Sequence, residues 1–332
     1  MHFDLNDEQK EIKRVAHDLL AARSPFPKVR EAAEASAYDK ALWAELVELG
    51  WPGIAVAGEH GGQELGAVEL AVLLEELGYA CAATPFMPSA TVAAVIEAVG
   101  SSEQQQRWLP GLVSGETTAG LGTPELVADA EDAGVILIVD GDDVQLLDRG
   151  RAEVQPFVSI DPTRRFATVS GSGEALGAGA ASRVWLAIAA ELVGVCQRAL
   201  DMTLEYVKDR KQFGVPVGSF QAVSHRCAHM LLATESARST VYYAAWAADA
   251  APERLDEAAA LAAAAAADGG REATASAIQA HGGIGFTWEA DVHWLYKRAQ
   301  LDAALLGGAR RHRAGLARIG AGRAAGAVAP AS

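Results

Sequence analysis

Two short glycine-containing segments carry residue types that bind phosphate groups. The arginine loop reads DRKQFGVPVGSFQ at residues 209–221, and the glutamine loop reads IQAHGGIGFTWE at residues 278–289. Each places glycine at a predicted helix end, with Arg210 or Gln279 beside backbone N–H groups that the helix leaves unpaired. Arginine adds charge-assisted hydrogen bonds to phosphate oxygens. Each loop therefore predicts an anion site, although a solvated helix end explains either loop taken alone.

A third segment, WLYKRAQLDAALLGGARRHR at residues 294–313, indicates a helix, a bend and a basic helix. Bends beside pockets often display working side chains. None of the residues Leu305, Leu306, Gly307 and Gly308 can accept a proton. The bend could be an active-site floor, but it lacks a catalytic base. The basic residues around Arg298 and over 310–323 leave a local anion site open.

Helical patterns lie on both sides of a short β-rich stretch. Residues 1–118 are predicted to be helical, with Asn6 and Gln9 resembling a capping box and Gly50 ending a helix. Residues 119–175 contain β-rich runs at 135–139 and 144–147 around an Asp-Gly-Asp-Asp turn, which predicts a hairpin in a shortened β-domain. Residues 176–319 contain four long helices joined by short loops, which predicts an antiparallel four-helix bundle. Residues 320–332 are predicted to form a flexible tail.

The composition limits the class of partner. The chain of 332 residues has a formal net charge of −15, which argues against nucleic acid as its main partner. Cys81, Cys196 and Cys227 are well separated and show no metal-ligand spacing, so we expect reduced thiols in a cytoplasmic protein and no metal site. The N-terminal residues indicate an amphipathic helix and not a signal peptide. No apolar run suggests a membrane span.

Taken together, the segments resemble the acyl-CoA dehydrogenase family over nearly the whole chain. The resemblance rests on FDLNDEQKEIK, LGWPGIAVAGEHGGQELGAVELAVLLEELG, QQQRWLPGLVSGE and AAELVGVCQRALDMTLEYVKDRKQFGVPVGSFQAVSHRCAHM, which occur in the family's order. The pairing of the arginine loop with QAHGGIGF in the glutamine loop is the most specific part. The resemblance implies a mainly α fold, with an N-terminal helical domain, a small β-domain (reduced here) and a C-terminal four-helix bundle.

The resemblance also implies FAD as the cofactor. In the family, these two loops hold the ADP half of an FAD whose flavin ring lies mainly in the neighbouring subunit. Carried over residue by residue, Arg210 would pair with the pyrophosphate and Gln279 would contact the diphosphate–adenosine region. The remaining positions implied to line or support the cofactor are Gln212, Phe213, Gln221, Gly282 and Gly283.

The catalytic base that the family requires is not found in this sequence. Members remove an α-proton from an acyl-CoA with a glutamate and pass the β-hydride to the flavin, which gives a 2,3-enoyl-CoA. The usual alignment puts Leu306 at the glutamate position. A minority of members carry the glutamate on an earlier bundle helix, where this sequence has Ala250. Asp249 is one step out of phase there, about 100° around the helix, so a solvated helix end is its predicted role.

Other losses concern the flavin ring itself. Only Thr123-Pro124-Glu125 remains of the loop and strand that hydrogen-bond the ring, and Gly308 and Arg310 replace a threonine and a glutamine that usually follow the base. This pattern resembles the non-catalytic subunit of heterotetrameric actinobacterial acyl-CoA dehydrogenases, which act on steroid side-chain CoA thioesters. The implied partners are a full-length family member, an acyl-CoA substrate and electron-transfer flavoprotein. A self-sufficient homo-oligomer with an unrecognised base and a flavin-free structural or regulatory homologue remain as alternatives.

Overall fold

The protein has a mainly α fold with one small sheet. A computed structural model describes residues 4–141 and 143–328. Its helices are α1 (Asp7–Arg23), α2 (Phe26–Ala35), α3 (Lys40–Glu48), α4 (Ala67–Tyr79), α5 (Phe86–Val99), α6 (Ser102–Val113), α7 (Ala180–Asp209), α8 (Gln221–Ala250), α9 (Leu255–His281), α10 (Val292–Leu305) and α11 (Ala309–Val328). Its strands are β1 (Ala119–Thr123), β2 (Leu126–Ala128), β3 (Val135–Asp140), β4 (Asp143–Asp148), β5 (Glu153–Phe157), β6 (Phe166–Ser170), β7 (Glu174–Ala175), β8 (Lys211–Gln212) and β9 (Val215–Pro216).

The N-terminal helices follow the predicted signals, with one addition. The capping box at the start of α1 is confirmed, because the Asn6 side chain accepts from the Gln9 N–H and the Gln9 side chain accepts from the Asn6 N–H. Gly50 is confirmed as a left-handed position, with φ of 72°. Helix α2 lies within the region predicted to be helical, but it was not predicted as a separate helix. Two prolines, Pro25 and Pro27, surround its start, where proline is compatible with the first helical turn.

The β-rich stretch forms a seven-stranded sheet in the order β5-β6-β2-β1-β3-β4-β7. The predicted hairpin is confirmed as the antiparallel pair β3–β4. Along β3, Leu137 faces the main core, while Ile136 and Ile138 face a second apolar cluster on the other side of the sheet. Burial of both faces explains why this strand is apolar throughout and does not alternate.

The long helices α7, α8, α9 and α10 pack against one another and form the predicted bundle, with α11 against α9. Helix α4 crosses α7 at very short range: a Cβ added at Gly194 would lie 1.8 Å from the Glu75 carbonyl oxygen. Glycine is therefore required where the N-terminal helices meet the bundle. Of the described helices, α7 alone has the length and apolar composition of a membrane span, and most of it is buried inside the protein.

Residues 320–328 of the predicted flexible tail are helical, because α11 continues to Val328, and the flexibility of this segment stays a prediction. The segment contains several alanines, which favour continuation of the helix. Residues 329–332 lie outside the described part of the chain. The other domain boundaries stay predictions.

Candidate functional site

The arginine loop begins where α7 ends. The Arg210 N–H donates to the Tyr206 carbonyl oxygen at 2.9 Å, and the Arg210 carbonyl oxygen accepts from Val217 N–H at 2.8 Å. Strands β8 and β9 pair between these points and close the loop as a small hairpin. At its tip, Phe213 has a φ of 53° and a side chain that is 93% exposed. The loop thus has a fixed backbone and presents its side chains outward.

The glutamine loop begins in the last turn of α9. Gln279 is exposed there, and its carbonyl oxygen accepts from the Gly282 N–H that caps the helix. Gly282 has φ of 64° and ψ of −139°, a conformation that disfavours residues with a Cβ. A Cβ added at Gly285 would lie 2.4 Å from the Ile278 carbonyl oxygen, so the turn wraps closely over the helix end.

The two loops lie at the same end of the bundle. The rings of Tyr206, one turn before Arg210, and His281, beside Gln279, stack with centroids 4.4 Å apart and planes 21° apart. Within the described part of the chain, the side chains of Arg210, Gln221 and Gln279 make no hydrogen bond or ion pair. The Gln212 amide donates to the carbonyl oxygen of Lys211 at 2.8 Å. The structure therefore brings an unengaged guanidinium and unengaged amides to one exposed surface.

Gly283 has no structural reason to be glycine within this chain. Its φ lies outside the left-handed region, and a Cβ added there would meet no atom within 4 Å. The space beside Gly282 is equally open. Open space next to glycines and phosphate-binding side chains fits a ligand whose atoms approach the backbone closely. The donor set of one guanidinium and several amides fits a diphosphate.

The bend between α10 and α11 is a helix terminator. Gly307 and Gly308 both have left-handed backbones, with φ of 73° and 74°, and their N–H groups donate to the carbonyl oxygens of Ala304 and Ala303. The Leu306 side chain is fully buried in the main core. Its carbonyl oxygen lies 2.7 Å from His312 Nε2. Burial lowers the pKa of His312, so a neutral ring donates from Nε2. No described residue of the bend can act as a base.

Asp249 lies exposed near the end of α8, and its carboxylate binds backbone N–H groups of α4. Its carboxylate accepts from the Ala67 N–H at 2.9 Å and 3.0 Å, and from the Val68 N–H at 3.4 Å. These N–H groups belong to the first turn of α4, which has no side-chain cap of its own. Partial burial raises the pKa of Asp249, although the backbone N–H groups oppose this shift. Asp249 is thus exposed at the end of α8, as predicted, and it also caps α4.

A cavity of about 500 Å³ lies beside the bend. It is open to solvent and is lined by the start of α7, strands β4 and β7, and helices α9 and α11. Trp185 lies in its wall, with Arg311 stacked at 5.5 Å and His312 at 4.8 Å from the indole ring. Among the described lining residues, Asp143 and Asp256 carry carboxylates, and Asp256 accepts from the Ser182 hydroxyl at 2.6 Å.

The local anion site left open at Arg298 is wrong, because Arg298 is fully buried in an ion cluster. We define the buried ion cluster as Asp161, Arg164, Glu191, Arg298 and Asp302. Arg298 donates to Asp161 and Glu191, both at 2.8 Å, and Arg164 donates to Glu191 at 2.7 Å and Asp302 at 3.0 Å. The cluster joins the loop before β6 to α7 and to α10, one turn before the bend.

Two guanidinium groups face three carboxyl groups in this cluster. Burial raises the pKa of Asp302 well above its usual range, and the Glu191 carboxylate raises it further. Burial also opposes ionisation of Glu191, but Arg164 and Arg298 hold its pKa below the usual value. With Asp302 protonated, the cluster has two positive and two negative charges. Sequence patterns alone do not predict this cluster, because each of its charged residues resembles a solvated charge within its own segment.

The fold and these loops define a member of the acyl-CoA dehydrogenase family. The family's N-terminal domain matches residues 6–116 and its C-terminal domain matches residues 180–320, so the chain belongs to this family. It is 35% identical over 306 residues to acyl-CoA dehydrogenase IpdE2 of Mycolicibacterium smegmatis, covering 90% of this chain and 95% of that protein.

Two solved structures are also similar to this chain. The first is a variant of the Tcur3481–Tcur3483 steroid ACAD, with a TM-score of 0.86 and 27% identity over 96% of this chain and 99% of that one. The second is the ChsE4–ChsE5 complex from Mycobacterium tuberculosis, with a TM-score of 0.85 and 25% identity over the full length of both chains.

Proposed function

We propose that this chain is a non-catalytic subunit of an FAD-dependent acyl-CoA dehydrogenase, and that it completes the cofactor site of a full-length partner. One observation carries the proposal: the unengaged Arg210, Gln221 and Gln279 side chains lie on an exposed surface beside open glycine backbone. The bend, in contrast, buries Leu306 where a base is expected. The chain thus keeps the side chains proposed to bind a neighbouring subunit's cofactor, and it lacks the base that dehydrogenation requires.

Each residue of the two loops has a proposed task toward the ADP half of the partner's FAD. Arg210 pairs with the pyrophosphate through a bidentate contact. Gln279 donates to the diphosphate–adenosine region, and Gly282 and Gly283 let the cofactor approach the backbone. Gln212 and Phe213 line the cofactor, and Gln221 supports it from the start of α8. The bound FAD would accept the substrate hydride in the partner's site.

The relatives support a proposed substrate class. Similarity to a steroid ACAD supports a steroid side-chain CoA thioester as substrate, and similarity to the ChsE4–ChsE5 complex supports assembly with a second subunit. We place the activity in the cytoplasm, where buried free thiols such as Cys81 and Cys196 stay reduced. Electron-transfer flavoprotein is the proposed electron acceptor.

The central test is FAD content in a co-expressed complex with a full-length family member. Arg210→Ala should lower the FAD content per complex, because it removes the pyrophosphate contact. Gly283→Ala should also lower it, although neither packing nor backbone conformation within this chain opposes the added methyl group. Gly320→Ala is the matched control, since its added Cβ also meets open space, in α11. Unchanged FAD content in Arg210→Ala would instead support a flavin-free scaffold.

A self-sufficient enzyme is the second candidate function. The position of Asp256 is the observation in its favour. This carboxylate lines the cavity beside the bend. If it is the unrecognised base, the isolated chain should bind stoichiometric FAD, and an acyl-CoA should bleach the flavin absorbance. Asp256→Asn should then abolish the bleaching. We expect the isolated chain to show neither property.

A further inference from the structure

The two cofactor loops come from different helices and are far apart in the sequence. A diphosphate held by both would require a fixed distance between Arg210 at the end of α7 and Gln279 at the end of α9. Small errors in such a distance weaken binding strongly, because charge-assisted hydrogen bonds depend on geometry. Some contact between the helix ends must therefore set this distance.

The stacked rings of Tyr206 and His281 provide that contact. Tyr206 connects to the arginine loop through its carbonyl oxygen, which accepts from the Arg210 N–H at 2.9 Å. His281 is the last residue of α9 and lies two residues after Gln279 and directly before Gly282. The stack therefore joins the last turn of α7, which precedes the arginine loop, to His281, which directly precedes the glycines of the glutamine loop.

The His281 ring is fixed on its other side as well. Its Nδ1 lies 2.7 Å from the Ala277 carbonyl oxygen, which can only accept a hydrogen bond. Burial lowers the pKa of His281, so the ring is neutral and carries its proton on Nδ1. The close turn at Gly285 then holds the His281 backbone, since a Cβ there would lie 3.0 Å from His281 Cβ. The hydrogen bond at Nδ1 and the close contact at Cβ together make the ring a rigid surface against which Tyr206 packs.

We propose that Tyr206 and His281 are positioning residues, which hold Arg210 and Gln279 at the separation that the ADP half of the partner's FAD requires. The proposal rests on the proposed function, because it assigns the stack a role toward that cofactor. Neither ring needs to touch FAD. Their effect passes through the backbone bond to Arg210 and through the end of α9.

The test measures FAD dissociation from the complex for Tyr206→Leu and Tyr206→Phe. Tyr206→Leu loses the stack and should raise the Kd for FAD by roughly ten- to a hundredfold, as misplaced binding groups typically do. Tyr206→Phe keeps the ring and should restore the Kd to near the original value. Tyr243→Leu is the matched control, because Tyr243 also stacks on an aromatic residue, Trp246, with rings 6.0 Å apart within α8.

A double-mutant comparison separates positioning from general stability. If Tyr206 acts through Arg210, Tyr206→Leu should weaken FAD binding much less in an Arg210→Ala background. An equal effect in both backgrounds, or an equal effect of Tyr243→Leu, would overturn the positioning role. Should Arg210→Ala itself leave the Kd unchanged, the proposed function fails. If Arg210→Ala weakens binding and Tyr206→Leu does not, only the positioning role fails.

Discussion

At the scale of single residues, Leu306 shows why one substitution cannot rebuild a base at the bend. Its side chain is fully buried among apolar neighbours, and its backbone is fixed by hydrogen bonds to Asp302 and His312. A glutamate there would place a carboxylate inside the core without a designed partner. Leu306 therefore contributes to the packing of the core and cannot take part in catalysis.

Leu306→Glu should consequently lower stability and restore no activity. Burying the carboxylate should reduce the free energy of unfolding by about 3 kcal/mol or more, whereas Leu306→Met should cost less than about 1.5 kcal/mol. Urea denaturation of both variants measures this difference. Robust acyl-CoA dehydrogenation by the isolated Leu306→Glu chain would contradict the partner proposal.

Asp129 gives a prediction on the pH dependence of stability. Burial raises its pKa to about 6, and its Oδ2 has no hydrogen-bond partner among the described residues. Because the folded-state pKa lies above the unfolded-state value, Asp129 contributes stability at low pH and loses it as the pH rises through about 6. Its φ of 54° suits asparagine, so Asp129→Asn keeps shape and backbone while removing the titration.

We therefore expect Asp129→Asn to gain stability relative to the unsubstituted protein as the pH rises. Between pH 4.5 and 7.5 the difference in unfolding free energy should shift by about 2 kcal/mol in the variant's favour. Urea denaturation at both pH values measures it, and Glu34→Gln, an exposed carboxylate, is the control. A difference that stays constant over this range would show that Asp129 does not titrate there.

At the scale of elements, the helices and strands that depend on a local sequence pattern could be predicted from the sequence. Strand β3 followed from its apolar run and adjoining turn, and α7 to α10 from their length and the loops between them. The buried ion cluster could not be predicted, because Asp161, Glu191 and Arg298 each resemble an ordinary solvated charge within their own segment. Only tertiary packing brings them together. The Tyr206–His281 stack was missed for the same reason.

The carboxyl groups of the ion cluster are expected to differ in charge. Substitutions at Asp302 and Glu191 can test this difference. The raised pKa of Asp302 favours its protonated form, so Asp302→Asn would keep an uncharged group beside Arg164 and should change the unfolding free energy by less than about 1.5 kcal/mol. Glu191→Gln leaves two guanidinium groups with one carboxylate and should cost about 3–5 kcal/mol. Denaturation at neutral pH compares the two. Equal losses would mean that Asp302 is ionised in the folded protein.

At the scale of the whole molecule, exposed apolar side chains lie close to the cofactor loops in the sequence. Phe213 is 93% exposed in the arginine loop, while Phe286 and Trp288 are 76% and 70% exposed in the glutamine loop. Leu231 and Leu232 on α8 are exposed apolar side chains as well. Exposed apolar groups concentrated around one feature indicate a surface that another protein covers. A partner that brings its FAD to Arg210 and Gln279 would cover these residues as well.

Hydroxyl-radical footprinting of the free chain and of the complex should therefore differ at this surface. Phe213, Phe286 and Trp288 should be oxidised readily in the free chain and several-fold more slowly in the complex, because the partner excludes solvent from the centre of the interface. Leu49, exposed at the end of α3 in the N-terminal region, is the internal control and should be labelled equally in both. If all four residues react alike in the free chain and the complex, the partner binds elsewhere, and the two loops cannot hold its cofactor.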